Sequence, residues 1–311
     1  TLTLTDTILA SGSNLISLNG KTSVDINATS VTSITDTYTN INTIYNGTGI
    51  SGLGNEAVTI SDTTNATNVN GILNKTTGIV TAIVTADIAA NLNTGLVNAT
   101  ATDALTLTVN GATAQATDLI DLDGKTSVDV SVTATAVSGT FANLNTVYVT
   151  NVANYVNLGD ENVTITDTTS ASNVNIILGA TSGNVTAIVT ADTAANLNSS
   201  LTNSTSADAL TLTVNGATAT ASDLISLDGK TNIAISVTAT SVSGTFTDLN
   251  NIYVTNMSNY SNLGDENITI TDTQSATNVN TILGKTTGTV TATVSTDTAS
   301  NLNSALTNAT S

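Results

Sequence analysis

Seven carboxylates in polar loops are the residues whose type and spacing could do chemistry: Asp121, Asp123, Asp160, Glu161, Asp228, Asp265 and Glu266. Oxygen-rich loops are what a hard cation needs, so calcium is the metal these residues could take. The Asp-x-Asp-Gly run at Asp121 to Gly124 has the form of a calcium-loop fragment. It lacks the distal Glu and is followed by Lys125, so a solvated loop or a helix cap accounts for it better. Paired carboxylates could also serve general acid–base chemistry on a polysaccharide. Asp160-Glu161 and Asp265-Glu266, however, are copies of each other, whereas an active site is usually a single constellation. With no His, Cys or Arg in the chain, the usual triads, thiol nucleophiles and oxyanion clamps are excluded as well. The sequence therefore predicts no catalytic residue and no cofactor beyond calcium.

Composition narrows the class further. The only cations are Lys21, Lys75, Lys125, Lys230 and Lys285, against 23 acidic residues and a net charge of −18. Nothing here could neutralise a run of phosphates, so nucleic acid is excluded as a partner. An apolar fraction of 40% is that of a folding chain, and it is built from Val, Ile, Leu and Ala with few aromatics. No apolar run reaches membrane-spanning length, and no signal peptide is found.

What positions the carboxylates is a repeat. Segments return about every 105 residues: NLGDENVTITDT from Asn157 comes back as NLGDENITITDT from Asn262, with GLGNEAVTISDT from Gly52 as a diverged first copy. This divides the chain into long repeats 1–102, 103–207 and 208–311. Within each, a shorter motif of Asn or Asp, an aliphatic residue, then Asn or Ile starts at Asn14, Asn40, Asn68, Asn91, Asp118, Asn143, Asn173, Asn196, Asp223, Asp248, Asn278 and Asn301. Its spacing of roughly 23 to 30 residues is that of solenoid coils, four per long repeat.

Each coil reads as a strand of alternating aliphatic and Thr, a polar pair, and a short helix, as in the spacing of Ala66, Val69 and Leu73 or of Ala89, Leu92 and Leu96. Asp62, Asp87, Asp167, Asp192, Asp272 and Asp297 stand where an N-cap would accept the first backbone N–H groups. Gly124 and Gly229, each followed by Lys, stand where a helix would end and a cation would meet its negative end. The expected fold is a β/α solenoid with one continuous parallel β-sheet and short helices or helical turns on the other side. The alternative is a right-handed, all-β parallel β-helix. Stacking would align Asn42, Asn70, Asn93, Asn145, Asn175, Asn198, Asn250, Asn280 and Asn303 as a structural ladder, each amide bonding backbone groups of neighbouring coils. The six Tyr and two Phe all fall in the second coil type, where they are expected to fill the space beneath its long loop. Leu2 and Leu4 repeat the pattern of Leu105 and Leu107, and Leu302 and Leu306 that of Leu92 and Leu96, so the array is expected to continue past both ends, by chain or by head-to-tail assembly.

The stretch from Val24 to Thr63, VDINATSVTSITDTYTNINTIYNGTGISGLGNEAVTISDT, resembles repeats of very large secreted surface proteins of marine picocyanobacteria and related bacteria, of the surface-layer and adhesin kind. Later coils with VTAIVTADTAANLN look like diverged relatives of the same unit. The resemblance implies a secreted, non-enzymatic role at the cell surface, calcium-stabilised, and carries over no catalytic residue. The expected function is that of a spacer, coat or filament module of an extracellular surface protein. The alternatives are an adhesive module that binds a ligand such as surface polysaccharide, or a polysaccharide-acting fibre.

Overall fold

The computed structural model describes residues 2–9 and 11–310. The chain divides into two compact units, Thr1–Glu161 and Asn162–Ser311, so the boundary falls inside the second long repeat. Twelve α-helices lie among the described residues, one at each recurrence of the short motif. The first unit holds α1 (Gly12–Asn19), α2 (Tyr38–Asn46), α3 (Ala66–Leu73), α4 (Ala89–Gly95), α5 (Ala116–Asp123) and α6 (Phe141–Asn145). The second holds α7 (Ala171–Leu178), α8 (Ala194–Ser200), α9 (Ala221–Asp228), α10 (Phe246–Asn250), α11 (Ala276–Leu283) and α12 (Ala299–Ala305).

The short motif is a helix-start signal. Its first Asn or Asp sits three residues after the cap, and except in α1, α4 and α5 its backbone N–H donates to the cap side chain: Asn68 to Asn65 Oδ1 at 2.9 Å, Asn173 to Ser170 Oγ at 3.3 Å, Asp248 to Thr245 Oγ1 at 3.2 Å. The Asn amide then reaches back past the cap, as Asn196 Nδ2 does to Asp192 Oδ1 at 2.8 Å. Helices of five to nine residues are too short to persist alone, so their stability comes from the face they bury. In α3 that face is Val69, Ile72 and Leu73; in α9 it is Ala221, Leu224 and Leu227.

Two expectations about the helix ends are corrected. Asp87, Asp192 and Asp297 stand one residue before the caps Ile88, Thr193 and Thr298. Asp62 and Asp272 instead accept the N–H of the preceding coil's helix, from Tyr38 at 2.6 Å and Phe246 at 2.8 Å. For Asp272 that bond from Phe246 holds the carboxyl below its usual range. The lysines behave in the same way. Gly124 and Gly229 do end α5 and α9, but Lys125 Nζ donates to Leu96 O at 3.1 Å and Lys230 Nζ to Leu201 O at 2.5 Å. Each cation therefore meets the C-terminal end of the preceding coil's helix.

Every strand pairing is parallel, with helices between the strands, so the α/β character holds. In the first unit Ile34 pairs with Val58, Val58 with Val80, and Ala82 with Leu105, all buried, while Thr35, Thr59 and Thr81 align on the other side of the same strands. In the second unit Val163 pairs with Val185, Ala187 with Leu210, and Val242 with Ile268 and then Val290. The single continuous sheet is not found among the described residues, whose strands fall into six small sheets. The physical reason is that most coils bend between two short strand segments. Ala104–Thr106 and Thr108–Val109 belong to different sheets with buried Leu107 at the corner, and Ile26–Asn27 and Ser33–Asp36 are likewise separated by buried Ala28 and Val31.

Buried threonines fasten one coil to the previous one. Thr126 Oγ1 accepts the Leu105 N–H at 3.0 Å, donates to Leu105 O at 2.7 Å, and accepts the Val128 N–H at 3.1 Å. Thr231 repeats this with Leu210 and Ile233, while Thr76 and Thr286 donate to the carbonyls of Glu56 and Glu266 at 2.6 Å. Replacing Thr126 by Val keeps the shape but leaves buried N–H and C=O groups without that partner. We expect Thr126→Val to lower unfolding free energy by about 1–3 kcal/mol in urea denaturation; an unchanged midpoint would contradict the role given to the hydroxyl.

Candidate functional site

The carboxylates singled out in the sequence gather in polar clefts that occur in counterpart pairs. Asp265 and Glu266 line a cleft of ≈ 570 Å³ between the turn 237–240 and the loop 262–266. Asp160 and Glu161 line its counterpart of ≈ 390 Å³ between 132–135 and 157–161. Asp228 lines another cleft, of ≈ 490 Å³, with Gly229, Asn232 and Asn259, and Asp123 the counterpart of ≈ 370 Å³ with Gly124, Ser127 and Asn154. Asp121 is exposed on α5 and lines none of these four. Asp123 and Asp228 are each held by an Asn from the long excursion, Asn154 Nδ2 at 3.1 Å and Asn259 Nδ2 at 3.0 Å.

Local sequence builds the Glu266 cleft. After α10 the chain widens into a π-helical turn, Asn251–Thr255, which buries both Ile252 and Tyr253. The excursion then returns through Asn262, whose φ of 59° is a left-handed conformation that Asn tolerates better than most residues. Its amide donates to Ser236 Oγ at 2.8 Å and so ties the loop to the preceding strand. Glu266 is only 2% exposed, and its Oε2 accepts the Tyr253 hydroxyl at 3.2 Å and the Gly264 N–H at 2.9 Å. Glu161 is placed alike by Tyr148 at 3.2 Å and Gly159 at 2.8 Å. In the first copy, buried Glu56 takes the Tyr45 hydroxyl on Oε1 and the N–H groups of Gly54 and Asn55 on Oε2 at 2.7 and 3.1 Å. Tyr148, Tyr155, Tyr253 and Tyr260 are thus buried beside the long loop, and the hydroxyls of Tyr45, Tyr148 and Tyr253 hold its acid, whereas Tyr38, Phe141 and Phe246 are half-buried at the starts of their helices. Among the described residues no three acidic side chains come together as a metal-holding group.

The Asn positions do several different things. Asn70, Asn175 and Asn280 accept, on Oδ1, the backbone N–H of Asn98, Asn203 and Asn308 in the next coil, at 2.8, 2.8 and 2.7 Å. Asn93 and Asn198 donate instead, to the carbonyls of Asp118 and Asp223 at 3.0 and 2.9 Å. Asn42 accepts from Asn46 inside α2, Asn145 and Asn250 are the last residues of α6 and α10, and Asn303 is exposed on α12.

Besides Glu56, two further buried acids without a distinctive sequence motif matter to the same architecture. Asp103 accepts the N–H of Val80 at 2.9 Å and the N–H and hydroxyl of Thr100 at 2.9 and 3.0 Å; Asp208 does the same for Val185 and Thr205. The sequence marks them only by a Thr three residues ahead of an Asp that opens a strand, at both Thr100 and Thr205.

No family model, curated protein or solved structure matches the chain. The functional reading therefore rests on this geometry. A carboxylate held by a phenol and a backbone amide is a fixed acceptor, and its recurrence at Glu56, Glu161 and Glu266 makes it part of each copy's framework.

Burial first, and then the neighbouring carboxylates, push the phenol pKa values of Tyr45, Tyr148, Tyr155, Tyr253 and Tyr260 well above the ordinary 10.0. A folded pKa raised above the unfolded one stabilises fully below pH 10, and the contribution is lost as pH rises past it, because the unfolded chain ionises first. An absorbance titration should show these five phenolates appearing only above the ordinary value and together with loss of the far-UV spectrum. Their ionisation near pH 10 in a chain still folded would contradict the buried phenol–carboxylate arrangement.

Proposed function

We propose that the chain is a structural module of an extracellular surface protein or filament, a spacer or coat segment built as a solenoid of stacked strand-and-helix coils, and that it is not an enzyme. The observation that supports this best is recurrence. The Asp265-Glu266 cleft has its counterpart at Asp160-Glu161 and the Asp228 cleft at Asp123, so these polar features recur in the second and third long repeats. Catalysis would call for a constellation found once. The net charge of −18 suits a self-repelling outer surface, and among the described residues no helix is long and apolar enough to cross a membrane. Likeness of the Val24 to Thr63 stretch to repeats of giant secreted surface proteins points the same way.

The same recurrence favours one second reading, an adhesive module whose polar clefts take surface polysaccharide at regular intervals. Antibody raised against the purified chain separates the location shared by both readings from an internal role. Labelling of intact cells of the organism that makes it is expected, whereas label seen only after lysis would overturn the proposal. Incubation of the purified chain with acidic and neutral polysaccharides should release no new reducing ends; turnover that stops in Glu266→Gln would count against a structural role.

A further inference from the structure

Glu266 presents a specific imbalance. It is 2% exposed, its Oε2 has two donors, and its Oε1 is buried with no hydrogen-bond partner. An unmatched carboxylate oxygen away from water is costly, and a group that satisfies it must carry positive charge or a proton to donate. Glu266 also lines a cleft whose walls supply oxygen. Asp265 beside it is exposed and negatively charged, and its charge is felt at the Tyr253 phenol. Across the cleft, Thr238 and Thr240 each give their hydroxyl proton to a carbonyl, of Val214 at 3.0 Å and of Ala217 at 2.9 Å. That leaves the lone pairs of both hydroxyl oxygens for an electrophile.

We propose that this cleft binds a calcium ion on the carboxylates of Asp265 and Glu266, with oxygens of the 237–240 turn and water completing the shell. Calcium accepts a flexible set of six to eight oxygens from carboxylates, carbonyls and water, whereas magnesium demands a near-ideal octahedron, so an irregular cleft with two acids favours calcium. Two carboxylates place the affinity among weak extracellular sites, with a Kd of about 10⁻⁴–10⁻³ M. The cleft lined by Asp160 and Glu161 carries the same Asp-Glu pair facing a Thr-x-Thr turn, Thr133 and Thr135. The first copy does not: Asn55 replaces the Asp, and both oxygens of Glu56 are engaged by Tyr45, Gly54 and Asn55.

Terbium is the probe, because it occupies calcium sites and is sensitised by a nearby tyrosine, and Tyr253 bonds directly to Glu266. The full chain should give saturable tyrosine-sensitised terbium luminescence that calcium displaces at millimolar concentration. Asp265 is exposed, so D265N should leave the far-UV spectrum unchanged. The double variant D160N/D265N, with its far-UV spectrum intact, should weaken terbium binding by at least about tenfold, as expected when a site loses one of two anionic ligands. Single E266Q, whose amide oxygen still accepts from Tyr253 and Gly264, should weaken the site at Asp265 alone. Absence of sensitised luminescence in the wild-type chain, or luminescence retained at full affinity in D160N/D265N, would overturn the assignment.

Discussion

The backbone of a strand two to five residues long cannot satisfy itself, and in most coils of this chain the strands are no longer than that. Their N–H and C=O groups reach across to the coil before or after: Ile26 N–H donates to Gly49 O at 2.8 Å, Val58 N–H to Ile79 O at 2.9 Å, Ile268 N–H to Thr289 O at 2.9 Å. A coil is therefore incomplete without a neighbour. Its helix is too short to stand alone, and its apolar strand residues are covered only when the next coil stacks on them. Parallel pairing in one register places Val58 over Val80 and Ile268 over Val290, so the same stacking that closes the hydrogen bonds also assembles the aliphatic core.

With 23 acidic residues and five cations, most acids of the chain have no opposite charge to meet, and it uses many carboxylates as hydrogen-bond acceptors. Asp103 takes a backbone N–H from Val80, Asp62 takes one from Tyr38, and Glu56 takes two from its own loop. Charge-assisted bonds of this kind are stronger than neutral ones, which offsets part of the cost of burying the acid. The lysines follow the same logic, since Lys125 and Lys230 donate to helix-end carbonyls of the previous coil. Between adjacent coils, then, backbone dipoles do the work that opposite charges do elsewhere. One of those acids, Glu266, keeps an oxygen in reserve.

Much of this is legible in the sequence. Helical spacing at Ala66, Val69 and Leu73 and alternation at Val80, Ala82 and Val84 fixed which faces are buried, because one-sided burial leaves a period in the sequence. The recurring Asn motif marked the start of each helix, although its position three residues after a hydroxyl or amide cap was not foreseen. Contacts between coils were harder to read. Asp62 could not be assigned to Tyr38, nor Lys125 to Leu96, because partners that lie 24 and 29 residues apart are set by the exact length of each coil. The same is true of the corner at Leu107 that divides the expected sheet, since a buried Leu continues an alternating pattern equally well whether the chain bends there or runs straight. Of the acids proposed from sequence, Asp160, Glu161, Asp265 and Glu266 share one kind of cleft and Asp123 and Asp228 another.

The central claim is that bonds between coils, more than the helices, hold each unit together, and residue-resolved amide hydrogen exchange on the folded chain tests it most directly. The amides of Ile26, Val58, Val163 and Ile268, which donate to the following coil's carbonyls, should exchange as slowly as any in the chain, through opening of the stacked coils as a group. Helix amides should exchange no more slowly than these. Fast exchange at the four strand amides while helix amides remain protected would contradict the account.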